Sequence, residues 1–335
     1  MEIPKQKNMR QTTIHSNFSK PAQTPQNSYI LTDKKFFHLG DCLEFDLHYK
    51  DPLTQMSLFL QSNTVIDKEQ QNKLREVEKL YISHIEKTKY EHFIEEKLQN
   101  IIQDTSLSLD AKTEAIYAST TELTNSLYKN PDALENADRS EKIVTPILQT
   151  IMHNEDTISS YLKIIEYDYY THTHSLNVSI YALSLGAALG FDEELLKALG
   201  QASLLHDLGK SKIEHEIVNK EGPLSEAEFE RMKMHPVFGH ETAITLGIKD
   251  QNILDGIRHH HEKINGMGYP DGLKGDEIQL FPRIIGICDV FDALSTRRSY
   301  KEAMKSFDAL ILMKQQMDTH LDMKFLNAFI KMLHK

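Results

Sequence analysis

"LKALGQASLLHDLGK", residues 196–210, decides the fold: apolar residues recur at every third or fourth position and then run into an adjacent His-Asp pair. The same period returns in "AIYASTTELTNSLY" (115–128), "IVTPILQTIM" (143–152) and "ALILMKQQM" (309–317), while strand-like alternation is absent from about residue 105 onward. The sequence therefore predicts an all-helical C-terminal part and a mainly α fold. Local signals agree. Ser225 followed by Glu228 predicts a capping box for "EAEFERMKMH", Pro236 breaks or kinks that helix beside His235, and Gly247 suits a helix C-terminus.

Upstream the pattern changes. Residues 1–32 are polar, rich in Gln, Asn, Ser and Thr without a hydrophobic period, and predict a disordered arm. "CLEFDLHY" (42–49) and "MSLFLQ" (56–61) alternate, and the charge-rich "DKEQQNKLREVEKLYISHIEK" (67–87) is amphipathic. Residues 33–105 are thus expected to form a small α+β accessory domain. Residues 106–150 are expected as a helical linker and 151–335 as the domain that carries the chemistry. The accessory part has no glycine-rich phosphate loop and no acidic pocket of the kind a phosphorylated receiver needs.

Composition narrows the function. A formal charge of -11 disfavours nucleic-acid polymers, which need a basic face to displace counterions. No apolar run is long enough to span a membrane, and the N-terminus lacks the apolar core of a signal peptide, so a cytoplasmic location is expected. Cys42 and Cys288 form no CxxC pair, so a metal here would be held by nitrogen and oxygen. Most of the 17 histidines fall after residue 170.

In order, the candidate ligands are His174, the pair His206 and Asp207, His235, the pair His260 and His261, and Asp289. Each lies within or at the end of an apolar helical segment. Imidazole and carboxylate suit first-row divalent metals, and a carboxylate can bridge two ions. Two ions side by side can hold an activated hydroxide and the outer oxygens of a phosphodiester. Convergence of the array on one point therefore predicts phosphohydrolase chemistry.

The blocks "HDLGK" (206–210), "HHEKINGMGYPDG" (260–272) and "ICDVFDALSTRRSYKEAM" (287–304) resemble, in family order, the signatures of the HD-GYP domain, a subgroup of the HD phosphohydrolases. The resemblance covers roughly residues 150–335. It implies a helical domain that hydrolyses cyclic di-GMP to pGpG, or on to GMP, with a bridging hydroxide between iron or manganese ions, in bacterial second-messenger signalling.

Carried over by residue, the resemblance places one ion on His174, His206, Asp207 and Asp289 and the other on His235, His260 and His261, with Asp207 bridging. Lys210 takes the place of the catalytic lysine that contacts the hydroxide or the substrate phosphate, and Tyr269, Arg298 and Lys301 would bind substrate. Arg297 and Ser299 depart from the usual pattern of that basic loop, and Asn265 replaces an Asp. Glu262 is expected to orient a ligand, Gly266, Gly268 and Pro270 to make a rigid loop, and His259 to lie on a helix surface. Asp292 either bonds a metal-binding histidine or caps local structure.

One branch of the family supplies a third metal through a Glu four residues before the first histidine. Here that position is Tyr170, a poor ligand with an ordinary pKa of about 10, so two divalent ions are expected. His172 is expected to point away from the ligand face. Two other classes stay open: a catalytically weak cyclic di-GMP receptor or partner-binding protein, and a phosphodiesterase for another cyclic dinucleotide. The long helices between 110 and 166 are compatible with a homodimer or with a linker packed on its own domain. The N-terminal part is the expected place for signalling partners.

Overall fold

The computed structural model of the chain describes residues 29–32, 34–50, 56–154, 156–167, 173–296 and 303–334. They divide between Tyr90 and Glu91 into two units, each described by itself.

The first unit holds strands β1 (Tyr29–Thr32), β2 (Cys42–Leu43), β3 (Leu47–Lys50), β4 (Met56–Leu60) and β5 (Thr64–Val65), helix α1 (Lys68–Glu76) and strand β6 (Leu80–Ser83). An antiparallel sheet runs in the order β1-β6-β3-β4, with β2 and β5 forming a separate pair. Alternation along β6 buries Leu80 and Ile82 and joins them to Phe45, Leu47 and Ile66 in a small core. Asp67 and Gln70 cap α1 reciprocally.

One expectation needs correction here. Tyr29–Thr32, assigned to the disordered arm, is a strand, because it pairs antiparallel with β6. The amphipathic stretch 67–87, expected within a mixed α+β region, supplies both kinds of element: α1 stops at Glu76 and "LYIS" turns extended. The remainder of the arm, residues 1–28, lies outside the described residues.

Helix α2 (Lys87–Gln103) leads into the second unit, followed by α3 (Leu109–Lys129), α4 (Asn136–His153), α5 (Thr157–Tyr167), α6 (His174–Ala188), α7 (Glu193–Leu205), α8 (His215–Val218), α9 (Glu226–Met232), α10 (His235–Thr245), α11 (Gln251–His259), α12 (Leu280–Ser295), α13 (Ser306–Gln316) and α14 (Met323–Leu333). The predominantly helical reading holds. The expected capping box at Ser225 is formed, and Pro236 stands in the first turn of α10, where its missing N–H costs nothing.

Helix α6 is buried on every side from Ser175 to Gly186, as suits a helix surrounded by others. It packs on α7 and α12 and contacts α3, α4, α5 and α14. Tyr181 meets Phe291 of α12 and Phe329 of α14 edge to face, with ring centroids 5.2 and 6.0 Å apart. The stretch expected as a linker is occupied by α3 and α4, which pack against each other and against α6 and α7 within this unit. Glu91 on α2 and Arg139 on α4 form a buried pair at 2.7 Å, with Ser126 donating to the other carboxylate oxygen.

Candidate metal centre

In the second unit, helix termini deliver most of the predicted ligands to one place. His174 is the first residue of α6, His206 follows α7, His235 opens α10, and His260 and His261 follow α11. Asp289 projects from within α12. A helix C-terminus leaves carbonyls without intrahelical partners, and three of these histidines use them. His206 Nδ1 lies 2.7 Å from the Ser203 carbonyl, His235 Nδ1 2.8 Å from Met232 and His260 Nδ1 2.8 Å from Ile257. A carbonyl can only accept. Each Nδ1 therefore carries the proton, and each Nε2 turns a lone pair inward, as metal-binding histidines require.

The inward atoms crowd in a way that asks for cations. His235 Nε2 and His260 Nε2 are 3.2 Å apart, two lone pairs facing each other. Among the described residues the buried atoms His206 Nε2 and Asp207 Oδ1 have no hydrogen-bond partner. Asp207 divides its oxygens: Oδ1 is 3.3 Å from His235 Nε2, while Oδ2 is 3.5 Å from His206 Nε2 and 3.6 Å from His174 Nε2. Asp289 places Oδ1 3.1 Å from His174 Nε2 and Oδ2 3.9 Å from His261 Nδ1. Within each of two triads, His174-His206-Asp207 and His235-His260-His261, the donor atoms lie within 4.8 Å of one another. This donor set fits first-row divalent ions.

Electrostatics prepares the same donors. Burial disfavours the imidazolium form of His235, with Lys210 and His261 adding to the effect, and lowers it to about 3; burial also takes His261 down to about 4 and His260 well below its ordinary value. These rings stay neutral at physiological pH. Burial pushes the Asp207 and Asp289 carboxyls upward, yet the surrounding cationic and imidazole groups hold both well below the usual carboxylate range. His174 differs. Burial opposes its protonation, but hydrogen bonds and charges from Asp289 and Asp292 prevail and raise it to about 9.

Behind His174 a chain of polar groups crosses three helices. Asp292 Oδ2 is 2.7 Å from His174 Nδ1, and Asp292 Oδ1 accepts from Asn177 Nδ2 at 3.0 Å and from Thr296 Oγ1 at 2.9 Å. Tyr117 of α3 donates to Asn177 Oδ1 at 2.8 Å. Of the two alternatives for Asp292, the histidine contact is formed. Asn177 and Tyr117 were not anticipated; the one trace in the sequence is an amide three residues after His174 in a helix whose other polar residues are serines and a tyrosine.

Lys210 Nζ contacts Asp207 Oδ2 at 2.6 Å. Gly209 explains how the short 3-10 turn Leu208–Lys212 lies against α10: a Cβ there would stand 2.0 Å from the His235 carbonyl and 2.3 Å from Gly239 N. Only glycine lets the two backbones approach, and the approach brings Asp207 to His235.

The loop after His261 folds back on itself. Gly268 packs against the backbone of Glu262 and Lys263, where a Cβ would be 2.4 Å from each. Tyr269 lies over His261, with ring centroids 4.8 Å apart and planes inclined by 31°. Burial, reinforced by Asp289 and Asp207, raises its phenol and keeps it protonated. Glu262, expected to orient a ligand, instead accepts from the backbone N–H groups of Asp271 and Gly272 at 2.7 and 2.9 Å. His259 is also not the exposed helix residue expected: its side chain is 12% exposed and its Nε2 is 2.9 Å from Asp271 Oδ2, which Arg258 holds as well at 2.8 Å. Asn265 keeps the turn by accepting from Met267 N. Tyr170, His172, Arg297, Arg298, Ser299 and Lys301 lie outside the described residues.

The sequence model of a family described as HD domain matches residues 153–325. The chain is 32% identical to a cyclic di-GMP phosphodiesterase of Pseudomonas aeruginosa over 59% of this chain and 48% of that protein. It is 32% identical to a 3′3′-cGAMP-specific phosphodiesterase of Vibrio cholerae over 73% of this chain and 54% of that one. A cyclic di-GMP phosphodiesterase response regulator of Xanthomonas campestris is 33% identical over 57% and 51%. The chain thus spans about half the length of the curated relatives it matches. Among solved structures, an HDG"Y"P protein of Bdellovibrio bacteriovorus superposes with a TM-score of 0.67 at 20% identity, covering 92% of this chain and all of that one, and so shares the fold.

Proposed function

The chain belongs to the HD domain family, and on that premise we propose that it is a metal-dependent phosphodiesterase of cyclic dinucleotides, with cyclic di-GMP as substrate and pGpG as the first product. The observation that carries this reading is the opposed pair His235 Nε2 and His260 Nε2 at 3.2 Å, beside an Asp207 that faces both triads. Lone pairs so close repel unless a cation lies against them, and a carboxylate facing both sides suits two cations. We assign one ion to His174, His206, Asp207 and Asp289 and the other to His235, His260 and His261, with Asp207 shared. Iron and manganese both suit these ligands.

Divalent ions in this position supply Lewis acidity and positive charge to a phosphodiester. The protein's own groups do the rest. Lys210 sets an ammonium beside Asp207, where charge grows on the phosphoryl oxygens during displacement. Tyr269 presents a protonated phenol next to His261, suited to donating to a phosphate oxygen or covering a base. Arg298 and Lys301 are assigned to the substrate phosphates on the sequence match alone. A 3′3′-cGAMP substrate is the second reading, favoured by one observation: the relative so named matches 73% of this chain, more than the two cyclic di-GMP enzymes do.

The test is anaerobic purification with iron or manganese, incubation with each cyclic dinucleotide separately, and chromatography of the products, with Asp207→Ala as control. Turnover to pGpG that disappears in the control is the expected outcome. Tight binding with full metal loading and no turnover would instead identify a receptor, and turnover of cGAMP alone would move the assignment to the second substrate.

A further inference from the structure

Helix α3 lies outside the segment that matches the HD domain family, yet it touches the supports of the metal centre at two points. Tyr117 and Tyr128 are eleven residues apart, about three helical turns, so both side chains leave the same face. Tyr117 ends the chain that runs through Asn177 and Asp292 to His174 Nδ1. The Tyr128 hydroxyl lies 2.8 Å from Ser175 Oγ, next in sequence to His174, and donates to the Leu204 carbonyl at 2.8 Å. That carbonyl belongs to the last turn of α7, the turn whose end carries His206 and Asp207. It is one of the acceptors a helix terminus leaves open.

Resting on the reading of a metal centre above, we propose that Tyr117 and Tyr128 are positioning residues of that centre, and that the seating of α3 sets how tightly and in what geometry it holds its ions. Tyr117 fixes the ring orientation of His174 through two intermediaries. Tyr128 fixes the start of α6 and the end of α7 relative to each other. A displacement of α3 along its axis breaks both contacts together, so the seating of α3 bears on the metal ligands at two points.

The experiment compares full-length wild type, Tyr117→Phe, Tyr128→Phe and Thr124→Val, all loaded with cobalt(II). Thr124 is a fair control because it is buried on the same helix and its hydroxyl bonds, among the described residues, only to the Thr120 carbonyl of its own helix. Three quantities are read: cobalt retained against a competing chelator, the visible ligand-field spectrum, and the melting temperature of the chelator-stripped protein. Expected are a loss of cobalt affinity of about tenfold and an altered spectrum in both tyrosine variants, with Thr124→Val like wild type in both. Stripped proteins should melt alike among the three variants.

Retention and spectra of the tyrosine variants that match Thr124→Val would overturn the proposal, since only packing would then have been disturbed. If a tyrosine variant does not fold, Asn177→Leu cuts the first chain from α6: weakened cobalt retention supports the proposal, and unchanged retention overturns it. Wild type that takes up no cobalt overturns the metal reading itself, an outcome separate from any difference among variants.

Discussion

Asp207 turns one oxygen toward His235 and the other toward His174, His206 and Lys210, so a single side chain ties the two halves of the array together. A less central carboxylate offers a cleaner test in pH. The Arg258 guanidinium beside Asp271, with help from His259, holds its carboxyl down to about 2, below its ordinary value of about 3.9. Because the folded state depresses this value, the contribution is fully present above about pH 4 and is lost as pH falls toward 2. The side chain is 37% exposed, so the effect is small and weakened by salt. Between pH 6 and 3 the urea midpoint of metal-stripped wild type should fall more steeply than that of Asp271→Asn. Equal slopes would mean that the clamp from Arg258 and His259 does not support the loop carrying Tyr269.

At the scale of elements, the close approach of the turn after Asp207 to α10 makes the sharpest prediction. In Gly209→Ala the new methyl meets backbone atoms, which cannot rotate away, so a destabilisation of about 3 kcal/mol or more is expected together with loss of bound metal. Gly247→Ala is the comparison. There φ is +88° with no atom within 4 Å, and only the cost of a left-handed backbone applies, about 1 kcal/mol, with metal content unchanged. Urea unfolding and metal analysis of the two variants decide the matter, and equal losses would refute the close-approach argument.

The elements also show where reading by sequence works. The helices of the second unit were legible because their apolar period runs long, and the residues of the array were legible because ligand chemistry belongs to residue type. "LYIS" was not, since a four-residue strand between charged flanks is decided by its partners β1 and β3 rather than by local preference. Tyr117 and Asn177 were hidden for the same reason: their hydrogen bonds span 60 and 115 residues of chain and leave no periodicity behind, whereas Asp292 was legible one turn after Asp289.

For the whole molecule, ions that bind only the folded chain must stabilise it by mass action, by about 2.7 kcal/mol when free metal is 100 times its dissociation constant. Titrating manganese into stripped protein should raise the melting temperature steadily with the logarithm of its concentration, and Asp207→Ala should show no such rise. A wild-type melt insensitive to metal would remove the proposed centre. The small sheet unit contains none of the array. One feature of the centre also governs its history. Its proposed donors begin at His174 and end at Asp289, 115 positions later, and they stand mostly at or just beyond the ends of separate helices. While a ribosome is still extending the chain toward α12, His174 has neither the Asp289 carboxylate beside its Nε2 nor the Asp292 contact that holds its ring. The proposed centre can therefore be completed only after α12 has been made and has packed on α6.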